Sequence, residues 1–246
     1  MADKRPGRRV KAYRDEAFLN SPDARVLRIL AEYLEPKSRF EAHGIEDTIV
    51  FYGSARFREG SRWYEDARQL AFRLAQWSGN LPSDHRRFVV TSGGGPGIME
   101  AANRGAAEAG APTVGLGISL PHEQHDNPYL SQALAFHFHY FFMRKFWLAY
   151  LAKAMVVFPG GFGTLDEFFE ILTLVQTGKM TKPMPIVLFG AEYWNEVIDF
   201  DALARAGTID AKDTGLFHRT DSVEDACDWL LPRLLAQAVD RGGPRL

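Results

Sequence analysis

From Asp47 onward, short apolar runs alternate with stretches in which apolar residues return every three or four positions. The runs at 48–52, 88–91, 113–118, 134–138, 155–158 and 186–189 predict six strands. Between them, 63–76, 97–109, 141–152, 165–177 and 193–204 carry helical periodicity, and 223–238 follows the last strand as a further helix. Repeated strand-then-helix order implies a parallel sheet covered on both faces, an α/β fold of the doubly wound, Rossmann-like kind. Ligands in such sheets bind outside the carboxyl ends of the strands, near a reversal of strand order.

Ahead of the first strand, Ser21-Pro22 has the form of an N-cap followed by proline at the first helical position. It opens a helix whose apolar residues Val26, Leu27, Leu30 and Leu34 recur at helical spacing, an N-terminal extension expected to pack on the outside of the domain. Residues 1–14 carry Lys4, Arg5, Arg8, Arg9, Lys11 and Arg14 with little to bury, which reads as a flexible basic tail or as a basic docking arm. Residues 241–246, with their glycines and proline, read as a frayed end. The chain shows no 20 to 50 residue repeat and no low-complexity linker, so 15–240 are expected to form one domain.

Hydrophobic residues at 46% and charged residues at 24% fit a globular protein rather than a disordered or fibrous one. A formal net charge of −2 provides no overall field toward nucleic acid or an anionic membrane, and neither is expected as a partner. Any phosphate recognition must be local. The single cysteine, Cys227, cannot form an intrachain disulfide, the first residues lack a signal peptide's apolar stretch, and no apolar run has spanning length. Cytoplasm is the expected compartment.

Two glycine-rich loops carry the candidate chemistry. The first, Thr91-Ser92-Gly93-Gly94-Gly95-Pro96-Gly97-Ile98-Met99-Glu100, leaves a strand and enters a helix. Its glycines let backbone approach a ligand, and the exposed N–H groups of a helix start favour an anion; alternatively they only permit a tight turn. It is not the dinucleotide fingerprint, because Ile98 stands where a third glycine is needed, and it is not a Walker loop, because no Gly-Lys-Ser/Thr ends it. The second, Pro159-Gly160-Gly161-Phe162-Gly163-Thr164-Leu165-Asp166-Glu167, repeats the strand-to-helix setting, so the two can converge on one ligand. Thr164 and Glu167 also have capping-box spacing. Asp166, Glu167 and Glu170 crowd the same helix start, where the dipole favours an ionised Glu167 unless burial outweighs it.

Together these loops resemble the two motifs of the LOG (Lonely Guy) cytokinin-activating phosphoribohydrolases, often mislabelled as lysine decarboxylases, and the second matches the family's PGGxGTxxE pattern at every fixed position. Arg144-Lys145 matches the family's Arg-Lys pair on the preceding helix, and the similarity covers roughly 48–189. Where the family usually has Met-His-x-Arg-Lys, this chain has Phe141-Phe142-Met143 before Arg144, which together with the N-terminal extension marks a longer, bacterial-type branch. The resemblance implies Arg144 and Glu167 as the catalytic pair, with Lys145, Gly161 to Asp166 and Thr173 near the nucleotide. It further implies Glu123 as a substrate contact and Gly53-Ser54 bordering the same cleft. It implies hydrolysis of adenine-type nucleoside 5′-monophosphates to free base and ribose 5-phosphate, without a cofactor, by a homodimer or higher homo-oligomer.

The residues support such a reaction. Cleaving an N-glycosidic bond passes through an oxocarbenium-like sugar, so a carboxylate near the anomeric carbon and an activated water are needed. An ionised Glu167 suits both, and Arg144 can grip phosphate or ribose in bidentate fashion; the plain alternative for Arg144 is a surface salt bridge. A rival is a non-catalytic carrier of the same fold holding a nucleotide or molybdenum cofactor. It would need the loops but no charged pair. Pyridoxal-phosphate decarboxylation is disfavoured, since no lysine is marked for a Schiff base.

Two histidine pairs, His122 with His125 and His137 with His139, suggest a metal only if a third ligand exists, and the sequence names none. The aromatic run Phe136, Phe138, Tyr140, Phe141, Phe142 and Trp147 reads as core or, preferably, a homo-oligomer contact rather than base stacking.

Overall fold

The computed structural model of the protein describes residues 9–118 and 127–239. Seven strands form one parallel sheet in the order β4-β3-β2-β1-β5-β6-β7. They are β1 Thr48–Tyr52, β2 Val89–Ser92, β3 Val114–Ile118, β4 Ala135–Phe138, β5 Ala152–Val157, β6 Ile186–Phe189 and β7 His218–Thr220. The sheet grows outward from β1 to β4, returns with β5 beside β1, and grows the other way to β7, so strand order reverses between β1 and β5. A crevice outside the carboxyl ends of those two strands is where this topology places a ligand.

Alternate strand residues feed two apolar layers, as a period of two requires for a sheet buried on both faces. Ile49, Phe51, Val90, Val156 and Phe189 pack under α3 (Arg62–Gly79), α4 (Ile98–Glu108) and α9 (Val223–Val239). Val50, Tyr52, Leu116, Val157 and Leu188 pack on the other face against α2 (Arg25–Ala42), α5 (Phe141–Tyr150), α6 (Phe162–Gln176), α7 (Ala191–Val197) and α8 (Phe200–Arg205). A short α1 (Glu16–Leu19), capped by the Asp15 carboxylate, leads into α2.

The six expected strands and the helices between them all form, with four differences. Strand β5 starts at Ala152 rather than Met155, because a register shift in its pairing with β1 takes up Lys153; the preceding helix stops at Tyr150 to allow it. The expected helix at 193–204 divides at Ile198, which is extended, and restarts where Asp199 accepts from the Ala202 N–H at 2.7 Å. The three residues of β7 are polar and edge-paired, too short and too hydrophilic for an apolar-run reading.

The fourth difference concerns α2. Val26, Leu27, Leu30 and Leu34 point away from the domain and are 65%, 47%, 48% and 57% exposed. The packing face is instead Ile29, Tyr33, Pro36 and Phe40. Tyr33 stacks on Trp147, with centroids 5.6 Å apart, and the Trp147 indole N–H donates to the Glu32 carbonyl at 3.0 Å. The Glu32 carboxylate accepts the backbone N–H groups of His139 and Tyr140. Polar bonds and aromatic contacts fix the rotation of this helix, overriding its aliphatic stripe.

Phe136, Phe138, Tyr140 and Trp147 are therefore buried core of their own chain, not the subunit contact expected for them; only Phe141 and Phe142 of that run are exposed. No helix among the described residues is long and apolar enough to cross a membrane.

Candidate functional site

The loops after β1, β2 and β5 are stitched to one another at the point of strand-order reversal. The Ser54 N–H donates to the Pro159 carbonyl at 3.0 Å, and the Ser54 carbonyl accepts from the Ile98 N–H at 3.1 Å. Gly97 caps α4 with φ +70, and a Cβ there would strike the Ser54 carbonyl and, at 2.7 Å, Ala55. Only glycine lets the first glycine loop close on the β1 turn. Tyr193 donates its hydroxyl to the Gly160 carbonyl at 2.8 Å and so holds the second loop from the side.

The loops enclose a cleft of about 760 Å³, into which Gly53-Ser54, Gly93 to Gly95 with Met99, and the whole segment 160–167 face. Arg144 reaches it from α5. Its Nε donates to the Leu116 carbonyl at 2.7 Å and its Nη1 donates to Glu167 Oε1 at 2.6 Å. The two side chains are 10% and 12% exposed, so this is a nearly buried pair and not a surface salt bridge. A side chain on Gly93 would collide with Arg144 Nη2 and would sit 2.7 Å from Met99 Sδ, so the bare glycine is what admits the guanidinium.

Helix α6 begins at Phe162, with Gly161 as an N-cap that offers no side-chain bond. The capping box expected of Thr164 and Glu167 therefore does not form: Thr164 lies buried against Gly160, and Glu167 turns to Arg144. The acidic residues sit beyond the first turn, where the helix dipole has faded. Burial, not the dipole, dominates Glu167 and pushes its carboxyl above the ordinary range, while the Arg144 charge and hydrogen bond pull it back. Tyr52, buried beneath, is held protonated by burial and by the nearby Glu167 charge.

Three expected contacts stand apart from the cleft. Lys145 is engaged beside it, 2.8 Å from both Asp166 and Glu170. Gly97 is a hinge under the Ser54 carbonyl rather than part of the wall. Thr173 lies farther along α6, exposed, with its hydroxyl donating to the Phe169 carbonyl at 2.7 Å. Glu123, with His122 and His125, lies outside the described residues. Among the described residues no group of three His, Cys, Asp or Glu side chains is placed to hold a metal ion.

Sequence reasoning missed Arg56 and considered His137 only as a conditional metal ligand; both also face the cleft. Arg56 follows the Gly53-Ser54 turn by two residues, and His137 alternates with buried Phe136 and Phe138 along β4, so turn position and strand period were the available signals. A larger groove, about 1420 Å³, opens at the amino ends of the strands between Phe40, Arg87 and Leu151. It has no glycine loop, and its Arg87 and Lys37 are already paired with Asp47 and Glu41. The smaller cleft is the one equipped for chemistry.

Comparison with known proteins places the chain in a family. The chain is 26% identical over 220 residues to cytokinin riboside 5′-monophosphate phosphoribohydrolase LOG7 of Arabidopsis thaliana, covering 84% of this chain and 93% of that one. It is 29% identical over 191 residues to the probable enzyme of that name, LOG4, of Oryza sativa subsp. japonica, covering 77% and 78%. Among solved structures, the X-ray structure of TM1055, a structural-genomics target, shares the fold with a TM-score of 0.52 at 24% identity, covering 76% of this chain and 99% of that one. The molybdenum cofactor binding protein of Rippkaea orientalis aligns with a TM-score of 0.49 at 18% identity, covering 76% and 98%. The family model described as possible lysine decarboxylase matches residues 99–230, more than half of the chain. With both glycine loops in place and an arginine–glutamate pair between them, this chain belongs to that family, the LOG family.

Proposed function

We propose that this protein hydrolyses the N-glycosidic bond of an adenine-type nucleoside 5′-monophosphate, releasing free base and ribose 5-phosphate. The observation that carries the reading is the nearly buried Arg144–Glu167 pair in a cleft walled by two glycine loops at the strand-order reversal. The activity for which the relatives from Arabidopsis thaliana and Oryza sativa are named supports the same reaction class.

In this reading Glu167 faces the sugar's anomeric carbon. As C1′ parts from the base nitrogen, the carboxylate stabilises the developing positive charge, takes a proton from the attacking water, and leaves the hydroxyl on C1′. The base departs with the bond's electron pair and takes up a proton from solvent, and Glu167 gives the proton it took from water back to solvent, so the sum is one water consumed. Arg144 does not grip phosphate in this scheme, because its Nε is spent on Leu116 and its Nη1 on Glu167. It orients the carboxylate and keeps it ionised against the cost of burial.

The working protein is proposed to be a cytoplasmic homo-oligomer that needs a nucleotide substrate but no metal or cofactor, nucleic acid or membrane. Phe141 and Phe142, 52% and 51% exposed on α5, support a subunit contact.

Incubating the purified protein with a panel of nucleoside monophosphates and the matching nucleosides, and separating free base by chromatography, tests the reading. Base released from monophosphates but not from nucleosides is the expected result. Tight binding of a monophosphate with no base released would leave a non-catalytic carrier instead.

A further inference from the structure

Among the described residues, every carboxylate facing the cleft already has a cation. Glu167 is 2.6 Å from Arg144, and Asp166 is 2.8 Å from Lys145. Two arginines face the cleft, and among the described residues no hydrogen bond or ion pair engages the guanidinium of the second, Arg56. Among the described residues, the Arg56 guanidinium faces the cleft without a counter-charge. Its side chain is exposed on the cleft rim, so the charge costs no desolvation while it waits for a partner.

The backbone beneath it is fixed. The Arg56 N–H donates to Ser54 Oγ at 3.1 Å, and Ser54 is tied on one side to Pro159 and on the other to Ile98. Arg56 thus springs from the seam where the two glycine loops meet, on a turn that cannot drift from either. A guanidinium so placed presents a fork of donors that matches a phosphate edge. Arg144 lacks that freedom, with two of its nitrogens committed.

We propose that Arg56 is the residue that reads the phosphomonoester of the substrate, so that the cleft distinguishes a nucleoside 5′-monophosphate from the uncharged nucleoside. The assignment deepens the hydrolase reading and rests on it for the identity of the ligand, but binding alone can test it.

The full-length protein and its Arg56→Ala and Arg56→Lys variants are titrated calorimetrically with AMP, ribose 5-phosphate, inorganic phosphate and adenosine, and turnover of AMP is followed alongside. Arg56→Ala is expected to weaken AMP and ribose 5-phosphate by about 10- to 100-fold, the scale of charge-assisted hydrogen bonds lost. Adenosine should bind all three proteins alike, and Arg56→Lys should fall between, since it keeps the charge but not the fork. In turnover, the loss should appear in KM more than in kcat. Inorganic phosphate tracking Arg56 in the same way would place the recognition on the phosphoryl group itself; phosphate binding indifferent to Arg56 while AMP responds would assign it to the ester in its sugar context.

AMP affinity within twofold of the parent in Arg56→Ala overturns the proposal, as does an equal weakening of adenosine. A parent protein that binds AMP through Arg56 yet releases no adenine defeats the hydrolase reading and leaves this one standing. Turnover with a KM indifferent to Arg56 does the reverse.

Discussion

Arg144 Nη1 lies 2.6 Å from Glu167 Oε1, and the same guanidinium is anchored through Nε to the Leu116 carbonyl at 2.7 Å. The carboxylate is therefore held from α5 and the middle of β3 as well as from its own helix, and three elements must fold together before it points into the cleft. Such a pair is poised rather than inert: one oxygen is taken, the other is left for a water or a sugar.

The first consequence concerns turnover. Glu167→Gln keeps the shape and can still accept from Arg144, but it can neither take a proton nor carry charge. Base release should fall by about 10²- to 10⁴-fold while AMP still binds. Adenine release by the variant at the parental rate would remove Glu167 from the mechanism.

Stability should respond to the other partner. Arg144→Met strands a nearly buried carboxylate, and truncating one side of such a pair typically costs roughly 3 to 5 kcal/mol. The double variant Arg144→Met with Glu167→Leu should lose much less than the sum of the singles, as read by urea unfolding. Additive losses would show that the two side chains do not interact in the folded protein.

Much of this was legible beforehand, and the failures have physical causes. Hydrophobic period gave six strands and the parallel sheet, and loop chemistry gave the residues that meet at the reversal point. Burial was not legible: the sequence put Glu167 in a helix's first turn and assigned its charge to the dipole, whereas α6 starts at Phe162 and the dominant influence is desolvation. Rotation of α2 was not legible either, because it is set by Glu32 and Trp147 meeting across more than a hundred residues of chain. Arg56 was missed because a lone arginine in a turn says nothing until the loops around it are seen to converge.

The pH profile follows from burial. The Glu167 carboxyl is held above its ordinary 4.5 by desolvation, with Arg144 opposing. In its catalytic role it must be ionised, so the acid limb of kcat/KM should lie above 4.5, vanish in Glu167→Gln, and move further upward in whatever activity Arg144→Met retains. For stability the sign is opposite: the folded state binds this proton more tightly than the unfolded chain does. Its contribution is full below 4.5 and is lost as pH rises through the folded value. A kcat/KM profile flat down to pH 4 would contradict both the role and the shift.

Gly93→Ala tests the packing of the pair against the first loop. The added methyl would meet Arg144 Nη2 and Met99 Sδ, so the guanidinium must move. Because φ at Gly93 is outside the left-handed region, the backbone itself is not strained. The expected outcome is activity down by at least about tenfold, since small misplacements of an orienting group are costly in rate, with cooperative unfolding retained. Wild-type kinetics would mean that the position of Arg144 is less constrained than its contacts imply.

Lys182 offers a test away from the cleft. It is buried, and its ammonium donates at 2.8 Å to the carbonyls of Ala149 and Tyr150, the last two of the helix that carries Arg144. Burial lowers its pKa to about 7 from 10.5, helped by the charge of Lys153 and opposed by that of Asp47. Between those values the unfolded chain holds a proton that the folded protein has released, so stability should rise with pH across that window. The neutral amine still has two hydrogens for its two carbonyls, and the helix end stays satisfied as the charge leaves. Lys182→Met should be less stable than the parent and should lack this rise, so the gap between them widens from pH 7 to pH 10 in urea unfolding. Parallel pH dependences for the two proteins would show that the buried lysine keeps its charge throughout.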